Sequence, residues 1–79
     1  MDTIEQKLRA ILTDHFAVDE DQLQADNHLV SDLDLDSLEL VELALQIEEV
    51  FNIEVPDNSV TADMTVGDVV EKIRELTGK

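Results

Sequence analysis

Apolar residues recur at helical spacing in three separate stretches of this chain, and no stretch alternates as a half-buried strand would. Ile4, Leu8, Ile11 and Leu12 fall at i, i+4, i+7 and i+8, which is one face of an amphipathic helix. Asp2 or Thr3 can cap that helix, Glu5 sits in its first turn, and it should end near Phe16. A second set runs from a start near Ser37 to about Phe51, with Asp36 or Ser37 as its cap. Acids in its first turn suit the positive end of the helix dipole. The third set holds Val66, Val69, Val70, Ile73 and Leu76, behind a Thr65 cap and with Gly78 just past its end. The pattern predicts an all-α fold: a small bundle of three main helices (about 3–15, 37–51 and 66–77) plus one short helix near 58–62.

The connections divide unequally. Residues 17–36 are polar and acidic, with apolar anchors only at Val18, Leu23, Leu29, Val30 and Leu33. They read as a long ordered loop, and a loop of that length in a small domain is usually functional. Pro56 closes the Asn52–Val55 stretch, since the residue before a proline avoids helical geometry. Asp57–Ala62 has room for one short helical turn, and Met64, with Val60 and Ala62, reads as core filling. A length of 79 residues predicts one domain spanning 1–79, whose core must be aliphatic because Phe16 and Phe51 are the only aromatics.

The net charge of −15 is distributed unevenly: Lys7, Arg9, Lys72, Arg74 and Lys79 are the only Lys and Arg, so none falls between residues 10 and 71. Nucleic acid is excluded as a partner by that balance, because binding a polyanion needs positive charge. Anionic membrane surfaces are disfavoured for the same reason, and basic protein surfaces are favoured. So much like charge on a small body favours a monomer. No apolar run approaches the length of a membrane span, so no membrane insertion is expected. Met1–Glu5 has neither a basic start nor an apolar stretch, which predicts no signal peptide and a cytoplasmic location.

Several chemistries find no support. Without cysteine there is no disulfide, no thiolate metal site and no thiol of the protein's own. His15 and His28 are too far apart to suggest a shared site, and neither is spaced to act as a base for Ser37, so a hydrolase is unsupported. Asp32, Asp34 and Asp36 suggest the opening of an EF-hand loop. Its sixth and twelfth positions would hold Ser37 and Leu43 instead of Gly and Glu, so no specific metal site is expected. Weak divalent binding to so many carboxylates is still expected.

The second helix carries the most information. On a wheel of about 100° per residue, Leu40, Leu43, Ile47 and Val50, flanked by Ala44 and Phe51, form one broad arc that must face the core. Leu38, Val41 and Leu45 form a second apolar arc on the opposite side, bordered by Glu42 and Glu49 on one flank and Glu48 on the other. Either neighbouring loop residues cover that outer stripe, or it is a partner site with a greasy centre and an acidic rim. The bordered geometry favours docking to a surface with an apolar depression beside Arg or Lys.

Asp36-Ser37-Leu38 lies where the loop meets this helix. The run from Asp32 to Leu43, with Ile47-Glu48-Glu49-Val50-Phe51 and Glu54-Val55-Pro56-Asp57 after it, resembles the bacterial acyl carrier proteins across nearly the whole chain. The resemblance implies an acyl-carrier-protein-like bundle in which a phosphopantetheinyl transferase moves 4′-phosphopantetheine from coenzyme A to Ser37. On position alone, a simple N-cap is the usual role of a serine at such a place; the full motif points instead to the attachment site. The thiol of the added arm would hold acyl groups as thioesters, which fits a chain with no cysteine. The resemblance also implies that the protein is not an enzyme but a carrier. It would deliver cargo to acyl-transferring and chain-elongating enzymes of fatty acid, specialised lipid or polyketide synthesis. Asp36 and Glu39 match positions that meet the transferase, Glu42, Glu48 and Glu49 match acids that meet basic partners, and Leu38, Val41 and Leu45 match apolar contact positions. Asp34-Leu35 departs from the Gly-Ala of the family pattern. The open alternatives are an aminoacyl or peptidyl carrier and an unmodified acidic interaction module.

Overall fold

A computed structural model describes residues 3–56 and 59–78 of the chain. Three helices form where the apolar periodicity places them: α1 Thr3–His15, α2 Ser37–Phe51 and α3 Val66–Thr77. No strand occurs among the described residues, and the one bridge pairs His28 with Thr65. The expectation of an all-α fold with three main helices and one short one holds. The short element is a 3-10 turn at Glu20–Gln22, inside the long loop, and not at 58–62. Of that second stretch, Asp57 and Asn58 lie outside the described residues. The Ser59 N–H donates to the Pro56 carbonyl at 2.9 Å and the Met64 N–H to the Thr61 carbonyl at 3.2 Å, giving single turns without a helix.

Side chains fix the helix ends. Thr65 caps α3: its hydroxyl accepts from the Asp68 N–H at 3.1 Å while the Asp68 carboxylate accepts from the Thr65 N–H at 3.1 Å. Such reciprocal boxes satisfy donors that a helix start otherwise leaves unpaired. Gly78 ends α3 with φ 76°, the left-handed geometry that glycine adopts without steric cost. At the end of α1 the same geometry falls on Ala17 (φ 54°), and the Val18 N–H reaches back to the Leu12 carbonyl at 3.1 Å. At the end of α2 it falls on Asn52 (φ 55°). Of the two candidate caps of α1, Asp2 lies outside the described residues and Thr3 is the first helical residue.

α1 packs against both α2 and α3. The core is aliphatic as expected, with Leu8, Leu12, Leu43, Ile47, Val69 and Ile73 fully buried. The long loop adds to it. Val18, Leu23, Leu29 and Leu33 are buried anchors, while Val30 is half-buried and packs against them. Leu35 joins the core as well, a burial that no helical period announces. The loop is tied to the entry of α3 by the Leu29 N–H on Met64, the Val66 N–H on Asn27 and the Gly67 N–H on Ala25, at 2.9–3.0 Å. Beside this seam the Thr61 hydroxyl donates to the Asp63 carboxylate at 2.7 Å and holds that carboxyl below the usual carboxylate range.

Two core assignments need correction. Val50 is 40% exposed, because it lies at the edge of the inner arc beside Gln46, over a shallow depression walled by Lys7 and His15 of α1. Ala62 is exposed while its neighbours Val60 and Met64 turn inward. No helix among the described residues is long and apolar enough to cross a membrane.

Candidate functional site

The loop reaches α2 through a tight reverse turn. The Leu35 N–H donates to the Leu29 carbonyl and the Asp34 N–H to the Val30 carbonyl, each at 3.1 Å, with Asp34 at φ 61°. This is the paired-bond pattern of a Schellman turn, with Asp34 in the place glycine usually takes. Leu29 and Leu35, the two residues such a turn brings together, are both buried. One turn earlier, the Asp32 carboxylate accepts from the His28 N–H at 2.6 Å and lies 3.6 Å from His28 Nδ1.

Asp36 then caps α2. Its carboxylate accepts from the Glu39 N–H at 2.9 Å, and the Glu39 carboxylate accepts from the Asp36 N–H at 3.1 Å. Capping therefore falls to Asp36, and Ser37 is left as the exposed first residue of the helix. Among the described residues its hydroxyl has no hydrogen-bond partner, nor do the N–H groups of Ser37 and Leu38. Unpaired donors at the positive end of a helix suit an anionic group beside the serine.

The outer stripe of α2 faces solvent. Leu38, Val41 and Leu45 are 74%, 59% and 52% exposed, so the described loop residues do not cover them. Glu42 and Glu49 border the stripe, exposed, and their carboxylates have no hydrogen-bond partner among the described residues. Glu48 differs. It is half-buried, and its carboxylate accepts from the Val55 N–H at 2.9 Å, pinning the chain that leaves α2. Asp36, Glu39 and Glu48 are thus committed within the fold, whereas Glu42 and Glu49 are available to a partner.

Between α2 and the segment after it lies a groove of about 530 Å³. Ser37, Leu40, Val41, Ala44, Leu45 and Glu48 form one wall, and Val55, Val60, Thr61 and Ala62 the other. Sequence reasoning misses that second wall. Its signal is faint: apolar residues at 55 and 60 in a stretch with no helical period, beside a proline that holds the chain extended. The residues at hand fit a phosphopantetheine group. An exposed, unshared hydroxyl stands at a helix start, and a largely apolar groove begins at the same residue.

Residues 6–73 match the family of the phosphopantetheine attachment site. The chain is 42% identical over 73 residues to the acyl carrier protein of Clostridium perfringens (strain 13 / Type A), covering 92% of this chain and 96% of that protein. It is 42% identical over 76 residues to the acyl carrier protein of Akkermansia muciniphila, covering 96% and 95%. To the acyl carrier protein of Lactobacillus acidophilus it is 39% identical over 72 residues, covering 91% and 90%. With an attachment-site match over most of its length and relatives aligned almost end to end, this chain belongs to the acyl carrier protein family.

Proposed function

We propose that residues 1–79 form one monomeric carrier domain that works in the cytoplasm, is not itself a catalyst, and carries its phosphopantetheine arm on Ser37. One observation carries the assignment: the cap of α2 is Asp36, which leaves the Ser37 hydroxyl exposed and without a partner among the described residues. Loading is a phosphoryl-type transfer in which Ser37 is the acceptor. Its Oγ forms a bond to the phosphorus on the pantetheine side of coenzyme A, and the bridging P–O bond breaks. Adenosine 3′,5′-bisphosphate leaves with the electron pair, and the hydroxyl proton passes to a base of the transferase. The N–H groups of Ser37 and Leu38 then offer donors to the resulting phosphodiester. Once bound, the arm supplies a thiol that holds acyl groups as thioesters.

The cargo reading follows from the groove. Its walls are mainly aliphatic, which favours acyl chains over the polar side chains of an aminoacyl or peptidyl cargo. The partners are a phosphopantetheinyl transferase and the acyl-transferring and chain-elongating enzymes of fatty acid synthesis. Leu38, Val41 and Leu45 supply apolar contact, and Glu42 and Glu49 attract basic residues at the rim of the partner. Asp36 and Glu39 hold the serine's turn in place for the transferase, and Glu48 holds the groove wall.

Intact-protein mass tests this directly. The apo chain, incubated with coenzyme A, Mg²⁺ and a broad-specificity phosphopantetheinyl transferase, should gain one phosphopantetheine, and Ser37→Ala should gain none. A folded parent that stays unmodified with two different transferases would point instead to an unmodified interaction module.

A further inference from the structure

We infer that Met64 is a redox-sensitive clasp on the outer wall of the groove, opened when a peroxide oxidises its thioether to the sulfoxide. The chain's two methionines are Met1, which lies outside the described residues, and Met64. With no cysteine present, a thioether is the most readily oxidised side chain that the polypeptide offers. Met64 closes the 61–64 turn in both directions: its N–H donates to the Thr61 carbonyl and its Sδ accepts from the Thr61 N–H, each at 3.2 Å. Its carbonyl accepts from the Leu29 N–H at 3.0 Å, and its half-buried side chain packs against the core. One residue therefore joins the long loop, the core and the segment whose Val60, Thr61 and Ala62 wall the groove. Thr61, Ala62 and Asp63, the rest of that turn, are exposed, so a small oxidant meets the turn at the surface of the fold.

In the oxidation a sulfur lone pair attacks one oxygen of hydrogen peroxide, and the O–O bond breaks. The hydroxide released takes the proton left on the sulfur-bound oxygen, so sulfoxide and water are the products and sulfur loses two electrons. A new oxygen then stands on the atom that accepts the Thr61 N–H. If the oxygen takes that N–H, it holds Thr61 a bond length further out. If it turns inward, it meets the aliphatic core and is left without a donor. Either way the groove wall gives at Thr61. The Thr61 hydroxyl is no substitute donor, since it already donates to the Asp63 carboxylate at 2.7 Å. Enzymatic reduction of the sulfoxide removes the oxygen and restores the clasp. The consequence for cargo rests on the readings of Ser37 and the groove above, whereas the oxidation and its effect on folding do not.

The test treats the full-length apo chain and its Met64→Leu variant with hydrogen peroxide, and peptide mass assigns each added oxygen to Met1 or Met64. Met64 should take up one oxygen in the folded parent. The oxidised parent should then melt about 4–8 °C lower, the shift expected in a domain of this size for loss of one contact of ordinary strength. Met64→Leu keeps Met1 and an aliphatic side chain at 64, and its melting point should not move on oxidation. Methionine sulfoxide reductases should return the parent to its starting value. After the peroxide is removed, oxidised and untreated parent are loaded from coenzyme A or octanoyl coenzyme A, so the arm thiol never meets the oxidant. The oxidised chain should lose most of the melting increment that the octanoyl group gives the untreated one. The inference is overturned if Met64 is oxidised only in urea, if the oxidised parent melts with the untreated one, or if Met64→Leu falls as far. An octanoyl increment that survives oxidation in full overturns it as well. A parent that takes no arm overturns the Ser37 assignment and leaves the melting comparison to decide the clasp.

Discussion

Gly67 and Ala17 each sit where the other type is commoner. Gly67 lies in the first turn of α3, where alanine is worth about 1 kcal/mol more than glycine by propensity. A Cβ there would lie 3.1 Å from the Ala25 carbonyl oxygen and 3.3 Å from its Cβ. That carbonyl is the acceptor for the Gly67 N–H at 2.9 Å, so it cannot retreat without losing the bond that ties loop to helix. Gly67→Ala should therefore destabilise by about 1 kcal/mol net, the clash and the strained bond outweighing propensity. Ala17 presents the reverse case, an alanine at φ 54° where left-handed geometry costs about 1–2 kcal/mol. Ala17→Gly relieves that cost but adds about 0.5–1 kcal/mol of backbone entropy. The net expectation is a gain of up to about 1.5 kcal/mol by the difference of these terms. Urea unfolding of both variants decides it: a more stable Gly67→Ala would show that the loop yields at Ala25. Of these two positions the sequence advertises neither. A lone glycine inside a helical pattern looks like a weak spot until the loop that crosses it is seen.

At the scale of elements, the helix bounds are legible from sequence because caps and periodicity agree. Thr65 and Asp68 box the start of α3, Gly78 ends it, and the apolar set between them has one period. For α2 the wheel separates a buried arc (Leu40, Leu43, Ile47) from an exposed one (Leu38, Val41, Leu45), and the structure keeps that separation. The wheel fails where a neighbour's reach matters. Val50 is angled toward the core but stays exposed, since angle alone says nothing of what stands opposite. Leu35 is buried through a turn closed by its own N–H on the Leu29 carbonyl, six residues back, a device without period. Glu48 looks equivalent to Glu42 and Glu49 on the wheel, yet its carboxylate is spent on the Val55 N–H, seven residues on. That difference gives a prediction about α2. Glu42→Lys with Glu49→Lys should leave the melting temperature unchanged or raised and weaken docking to a basic partner enzyme, seen as a higher KM for the loaded carrier. Glu48→Ala should do the opposite, costing about 1–2 kcal/mol of stability as a part-buried N–H loses its acceptor. If Glu48→Ala melts like the parent and only docking suffers, the pin to Val55 is weak and Glu48 belongs with the other two acids.

The whole molecule spans 28 × 28 × 20 Å and carries a net charge of −15. At physiological salt the Debye length is about 8 Å, so neighbouring acids still repel within one face while opposite faces do not. Among the described residues the cations lie on α1 and α3 and none on α2, with Lys7 5.5 Å from the Phe51 ring centroid and Arg74 beside Glu71. The acidic face is thus left for partners, and cohesion must come from the aliphatic core. That core is thin on one side. The groove of about 530 Å³ separates α2 from Val55, Val60, Thr61 and Ala62, so part of the apolar lining contacts water when no chain fills it. Filling it should stabilise the fold. Each methylene moved from water into such a site contributes about 0.8 kcal/mol, and in a domain of this size about 1 kcal/mol shifts the midpoint by roughly 4–8 °C. An octanoyl form loaded on Ser37 should then melt several degrees above the form bearing the bare arm. Narrowing the groove with Ala44→Leu should remove most of that increment without lowering the melting point of the bare-arm form. Calorimetry on the four species makes the comparison internal. If the octanoyl and bare-arm forms of the parent melt together, the chain stays in solvent and the groove is no cargo site. If both gain equally with and without Ala44→Leu, the cargo binds elsewhere on the fold.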